Sequence, residues 1–258
     1  DAAEGRAAGR TYVAASAGNH GLSVAAGAAA FGATSRIYLA DTVPESFADR
    51  LRAEGAEVRR AGATYEESMA TAEAEAADEG LTLLSDSSWP GYTEMPRTLM
   101  EGYLILMAEA ASQLPEPPSH ILLQAGVGGL AGAAAAHARR IWGDDPVIVV
   151  VEPEAAPALI GSIEAGAPTE SQGPVSIMGR LDCKMPSLIA LKGLARDADW
   201  FVTISESEVQ AGCDRAEAAG LPSTPSGAAG LAALVAGLPD EVGITQKASI
   251  LTILSETA

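Results

Sequence analysis

Residues 11–31 read TYVAASAGNHGLSVAAGAAAF. Thr11–Ala15 has the β-branched, aromatic and apolar make-up of a strand, and Leu22–Phe31 is an Ala-rich, helix-like stretch. Between them lies the turn Ser16-Ala17-Gly18-Asn19-His20-Gly21. Strand, glycine-bearing turn and helix make the repeating unit of a parallel sheet. The pattern recurs along the chain. Further strand-like runs are Arg36–Ala40, Glu57–Ala61, Leu81–Leu84, Ile121–Gln124, Val147–Val151, Trp200–Ile204 and Ser249–Leu254. Helix-like segments alternate with them: Pro44–Glu54, Tyr65–Glu79, Glu94–Ser112, Leu130–Ile141, Ala155–Ala165, Ser205–Ala219 and Ser226–Ala236. This spacing predicts an α/β fold with mainly parallel sheets covered by helices on both faces. Pro44 stands where a first helical turn tolerates proline, and Ser205 with Glu208 matches a capping box. The proline-rich segment Gln113–Ser119 marks the expected boundary between two lobes.

With 258 residues, 48% of them apolar and 19% charged, the chain can bury a substantial core and is too apolar to be disordered. The balance of 16 basic against 34 acidic residues gives a net charge of −18, which repels a nucleic-acid backbone or an anionic bilayer. The acid spreads over surface-like helix, as in AEAEAADE at 72–79, and reads as a solvated face. Uncharged stretches such as Ile121–Ala138 are Gly and Ala and lack the bulk of a membrane span. No basic-then-apolar signal segment is read either. Two cysteines, Cys183 and Cys213, with scattered histidines, make neither a disulfide framework nor a metal cluster. A cytoplasmic protein without a metal is expected.

Ligands of open α/β sheets gather beyond the carboxyl ends of the strands, where helix N-termini present N–H groups. Three such places carry unusual residues. The turn Ser16–Gly21 can fold tightly and point amides inward to cradle a carboxylate, or it can be an ordinary helix cap using Ser16 or Asn19. His20 alone fits packing or capping at least as well as proton transfer. Gly126-Val127-Gly128-Gly129, after Ile121–Gln124, allows close approach of a phosphate to backbone, or is a tight strand-to-helix turn. It has neither the Lys-Ser/Thr pair of a P-loop nor the spacing of a dinucleotide fingerprint. Ser255 ends the last strand, where a small hydroxyl can be no more than a terminus.

The combination SAGNHG (16–21), GVGGL (126–130), PSGAAGLAAL (225–234) and LTILSE (251–256) resembles pyridoxal-phosphate enzymes of the tryptophan synthase β-like fold. Two more stretches resemble the diaminopropionate ammonia-lyase branch of that group: SDSSWPGYTEMP at 85–96 and GRLDCKMPS at 179–187. The resemblance implies that the coenzyme phosphate is held by Gly126, Val127, Gly128 and Gly129. It places Asn19 at the ring hydroxyl and Ser255 at the ring nitrogen. Ser16, Ala17, Gly18 and His20 would hold the substrate carboxylate, and Asp86 would be the catalytic carboxylate unless it only caps the turn at Trp89-Pro90. Trp89 and Tyr92 would wall the cavity, and Cys183 would line the site or be inert. The implied reaction is α,β-elimination of ammonia from 2,3-diaminopropionate to give pyruvate and ammonia. A serine/threonine dehydratase uses the same apparatus. A smaller mobile lobe over residues 1–105, a larger coenzyme-anchoring lobe over 106–258, a homodimer and a small amino-acid substrate are also implied.

The match departs at three points. The family's coenzyme-attachment lysine lies upstream of the GNHG turn, whereas 15 residues precede Ser16 and none is lysine. Lys184, Lys192 and Lys247 lie in later segments that do not match that motif. A missing N-terminal portion, or a lysine-lacking inactive homologue, is therefore expected. Ala17 stands where these ammonia-lyases commonly carry aspartate, which implies preference for one substrate enantiomer. Thr257 replaces a common glycine.

Overall fold

A computed structural model describes residues 5–257 and divides the chain into two compact units, the first ending at Asp86 and the second beginning at Ser87. The first contains β1 (Thr11–Ala15), α1 (Asn19–Ala30), β2 (Thr34–Leu39), α2 (Glu45–Ala53), β3 (Glu57–Arg60), α3 (Tyr65–Asp78) and β4 (Thr82–Leu83). Its sheet is parallel throughout, in the order β3-β2-β1-β4. Side chains alternate across the pleat. Ala14, Ile37 and Leu39 pack with Val24 of α1 and Phe47 and Leu51 of α2, while Val13, Ala15 and Tyr38 face Ala72 and Ala76 of α3. The acidic helix α3 starts with a capping box, in which Thr64 Oγ1 accepts the Glu67 N–H and Glu67 Oε2 accepts the Thr64 N–H, both at 3.2 Å.

The second unit contains α4 (Glu94–Gln113), β5 (His120–Gln124), α5 (Gly129–Trp142), β6 (Val147–Pro153), α6 (Ala158–Ala165), α7 (Leu188–Asp197), β7 (Trp200–Ile204), α8 (Glu206–Ala218), α9 (Pro225–Ala236) and β8 (Ile250–Thr252). A 3₁₀ turn spans Asp240–Val242. The sheet order is β7-β6-β5-β8, again all parallel. Ile121, Leu123, Ile148 and Val150 pack on one face with α5 and α7, and Leu122, Val149 and Val151 pack on the other with α8 and α9. These β5 and β6 residues are buried on both faces of the sheet, which accounts for their unbroken apolar run. No helix among the described residues is long and apolar enough to cross a membrane.

All eight expected strands form, and the expected capping box at Ser205 is present, with the Ser205 N–H 2.7 Å from Glu208 Oε2. Six helix starts differ by one to three residues, and three of them have a visible cause. α1 begins at Asn19 instead of Leu22, so Asn19 and His20 occupy its first turn. Gly21 is needed inside that turn, because a Cβ there would stand 2.6 Å from the Ser16 carbonyl oxygen. Pro157 delays α6 to Ala158, since the residue before a proline is kept out of the helical region. Pro44 precedes α2 as its cap residue. The helix α7 was not expected. Residues 114–119 join α4 to β5 within the second unit.

Candidate active site

In the first unit, β1 and β4 are parallel neighbours, so the turn after β1 and the segment Leu84-Ser85-Asp86 leave the same edge of the sheet. His20 ties them together: its Nε2 is 2.7 Å from the Leu84 carbonyl oxygen, and the ring is buried. A carbonyl only accepts, so Nε2 carries the proton and donates. His20 thus takes the packing role rather than that of a base at this nitrogen. The Ser16 N–H donates to the Tyr38 carbonyl at 3.3 Å and the Gly18 N–H to Ser16 Oγ at 3.2 Å, which tightens the turn from within. No side chain bonds over the N-cap of α1 at Gly18. Ser16, Ala17, Gly18, Asn19, His20 and Asp86 are therefore gathered at one sheet edge.

In the second unit, β5 and β8 are parallel neighbours, and Gly126–Gly129 and Ser255 follow them at a common edge. Gly128 is the N-cap of α5 with φ of +93°, and no side chain bonds across it. That backbone conformation favours glycine. A Cβ on Gly128 would stand 3.2 Å from Leu159 Cδ1, and one on Gly126 would stand 3.0 Å from Cys183 Sγ. The turn is thus a backbone surface at the start of a 14-residue helix, with N–H groups and helix dipole suited to an anion. This is the arrangement that a coenzyme phosphate requires, and these residues fit one.

Ser255 is held from two sides. Its neighbour Glu256 pairs with Arg180 Nε at 3.1 Å and accepts from Thr224 Oγ1 at 2.6 Å, while Ser223 Oγ donates to the Glu256 carbonyl at 2.7 Å. From the sheet side, the amide of Gln124 reaches it across 3.2 Å. Sequence reasoning missed Gln124 as more than a strand end, although a polar residue closing the run HILLQ was the available signal.

The stretches 85–96 and 179–187 meet in the second unit. Ser88 Oγ and Ser187 Oγ are 2.7 Å apart, the Ser88 N–H donates to Ser187 Oγ at 3.1 Å, and both serines are buried. The Ser187 N–H donates to the Val127 carbonyl at 3.0 Å, so the pair is bonded to the glycine turn itself. Trp89 and Tyr92 stack with centroids 4.4 Å apart across a tight turn in which Gly91 has φ of +91°. Pro90 and Gly91 are the central residues expected of such a turn.

Glu152, near the end of β6, is fully buried, and among the described residues it forms no ion pair. Its carboxylate accepts the N–H groups of Leu159 at 2.7 Å and Ile160 at 2.8 Å, at the start of α6. Burial drives its pKa up to about 7, against the opposing pull of those amides. Leu159 is the side chain lying against Gly128, so this carboxylate supports the glycine turn from beneath. Lys184 is engaged elsewhere, its Nζ bound to the carbonyls of Ala155 at 2.8 Å and Pro174 at 3.0 Å and paired with Asp182, while Lys192 and Lys247 are exposed.

Residues 1–256 match the family described as pyridoxal-phosphate dependent enzyme. The chain belongs to that family. It is 33% identical over 221 residues to the diaminopropionate ammonia-lyase of Salmonella typhimurium, an alignment covering 83% of this chain and 54% of that protein. It is 28% identical over 209 residues to human L-serine dehydratase/L-threonine deaminase, covering 79% of this chain and 60% of the relative. Among solved structures, Escherichia coli diaminopropionate ammonia-lyase with an aminoacrylate–PLP azomethine reaction intermediate superposes with a TM-score of 0.88 at 28% identity, covering 96% of this chain and 68% of that one. The chain spans 54% to 66% of the length of the curated ammonia-lyases it matches. Pyridoxal phosphate is the coenzyme of this family, and the α/β fold with parallel sheets is the one expected.

Proposed function

We propose that the protein removes ammonia from 2,3-diaminopropionate. The α-carbon loses a proton, the bond from Cβ to its amine breaks, and that amine leaves with a proton as ammonia. Water then releases the second nitrogen as ammonia and leaves pyruvate. The reading is carried by the Ser88–Ser187 pair, which joins the two ammonia-lyase-like stretches to each other and to Val127. Bound pyridoxal phosphate supplies an electron sink for the α-carbon. The amides of Gly126–Gly129 hold its phosphate, and Asn19 meets its ring hydroxyl. Ser255 offers the ring nitrogen a neutral hydroxyl, which does not keep that nitrogen protonated as an aspartate would. A weaker sink favours prompt loss of a β-substituent over transamination. The turn Ser16–His20 binds the substrate carboxylate, and Asp86 moves a proton at Cα or at the leaving amine. Ala17 provides no second carboxylate, so one enantiomer is preferred. The reading also carries a reducing cytoplasm and a homodimer.

The test is pyruvate release by the coenzyme-loaded protein from each enantiomer of diaminopropionate, compared with keto-acid release from serine and threonine. Diaminopropionate is expected to lead in kcat/KM by at least about tenfold. A lead for serine or threonine would instead establish the dehydratase reading, which the human relative favours. Coenzyme binding without turnover of any of them would identify an inactive homologue.

A further inference from the structure

Gln124 is the last residue of β5, and its side chain is buried. Its Nε2 is 2.8 Å from the Ile253 carbonyl oxygen, 3.2 Å from the Gly227 carbonyl oxygen and 3.2 Å from Ser255 Oγ. Two of these three neighbours are carbonyls, which only accept. The amide therefore cannot be turned over, because flipping it would aim an oxygen at both. At the other end, Oε1 is the one buried side-chain polar atom among the described residues without a hydrogen-bond partner, so the orientation rests on the two carbonyls. A Cβ on Gly230 of α9 would stand 3.1 Å from that oxygen, so a glycine makes room for it. With the nitrogen fixed towards Ser255, the serine oxygen can only accept from it, and the serine proton must be directed at some other acceptor.

We infer that Gln124 is a positioning residue that sets the polarity of Ser255, making its hydroxyl a donor towards the unprotonated ring nitrogen of pyridoxal phosphate. The inference rests on the coenzyme reading above. It adds that the donor character at this place is imposed by an amide on the neighbouring strand. The constraint needs no proton on that side of the amide: its two N–H groups are shared among three neighbours, and an amide nitrogen accepts none, so the serine proton is excluded from Gln124 either way. One side chain thereby locks three things together: the end of β8, the first turn of α9 and the state of the hydroxyl.

The test uses the full protein saturated with pyridoxal phosphate isotope-labelled at its ring nitrogen, read by nitrogen NMR. In Gln124→Glu an acceptor oxygen faces Ser255 and captures its proton. The ring-nitrogen resonance is expected to move to the position it takes in Ser255→Ala, with a loss of coenzyme affinity of about tenfold or less. With Ser255 already replaced, adding Gln124→Glu should cause no further shift, a result that general damage to the fold does not produce. Should the carboxylate prevent folding, Gln124→Met withdraws the same N–H without charge. It leaves the Ile253 carbonyl in want of a donor that the serine can supply, so the shift has the same direction. Saturable binding with an unchanged resonance in both variants overturns the inference alone. Failure of the unsubstituted protein to bind the coenzyme overturns the coenzyme reading and this inference with it.

Discussion

In the proposed reaction Asp86 acts through its carboxyl group and Gly128 through having no side chain. Asp86 is half-buried at the end of the β1–β4 edge, two residues past the carbonyl that His20 holds. If it moves the proton, Asp86→Asn removes that function and keeps the shape. Turnover of diaminopropionate is then expected to fall about 10²–10⁴-fold, with coenzyme affinity unchanged in an absorbance titration. A variant retaining most of its turnover would mean that Asp86 only caps the turn before Trp89. Gly128 acts through absence. Its φ of +93° and the 3.2 Å approach of Leu159 Cδ1 leave no comfortable place for a methyl group. Gly128→Ala should lose about 1–3 kcal/mol of stability in denaturant melts and bind pyridoxal phosphate more weakly, because strain is relieved only by moving the turn. The glycines were legible in the sequence for this reason: a residue type that excludes itself from ordinary strands and helices announces a special backbone. Gln124 was not legible, because its meaning depends on Ile253 and Ser255, 129 and 131 residues away.

At the level of elements, strands and helices followed from local pattern where the pattern was locally complete. The run Ile148–Val151 is buried on both faces and reads as an inner strand. The capping boxes at Thr64 and Ser205 close upon themselves within three residues. Helix α7 failed this test. Its cap residue Ser187 makes no side-chain bond to its own helix; instead the N–H groups of Leu188 and Ile189 are taken by the carbonyl and hydroxyl of Ser88. A helix whose start is supplied by a segment 99 residues away in sequence leaves little trace in its own stretch. The same bonds make a prediction. Ser187→Ala leaves the Ser88 N–H without its acceptor and takes one of two partners from the buried Ser88 hydroxyl, which keeps the Ile189 N–H; stability should fall by about 1–3 kcal/mol. Since the Ser187 N–H to Val127 is untouched, coenzyme affinity should fall less than in Gly128→Ala. Thermal melts beside coenzyme titrations for the two variants make the comparison, and the reverse ranking would refute it.

For the whole molecule, the acidic composition sets one limit of stability and the buried carboxyl of Glu152 sets the other. Glu45, Glu57 and Glu208 have their pKa values lowered, first by a hydrogen bond from Arg52, by one from Arg59 and by the Ser205 N–H respectively. Groups of that kind add stability above their unfolded pKa and lose it as pH falls. Glu152 has the opposite sign. Its pKa rises from 4.5 in the unfolded chain to about 7 when buried. Between those values the folded protein keeps a proton that the unfolded chain has released, so stability declines as pH rises and levels off above about 7. The full span amounts to about 3 kcal/mol. Growing net negative charge pushes in the same direction, so the slope of the parent protein alone does not isolate the group. Glu152→Gln does: its amide can accept from only one of the Leu159 and Ile160 N–H groups, so the variant starts less stable at pH 5, but nothing there titrates. Denaturant melts at pH 5 and pH 8 should show the parent losing about 2.5 kcal/mol more than the variant across that interval, the remainder of the span lying below pH 5. Equal losses would mean that Glu152 is ionised throughout, held by its amides against the effect of burial. The result bears on activity too, because Leu159, whose amide Glu152 holds, lies directly against Gly128. A carboxylate that titrates near 7 would couple the glycine turn to pH, and coenzyme affinity in the parent, but not in Glu152→Gln, should follow the same curve.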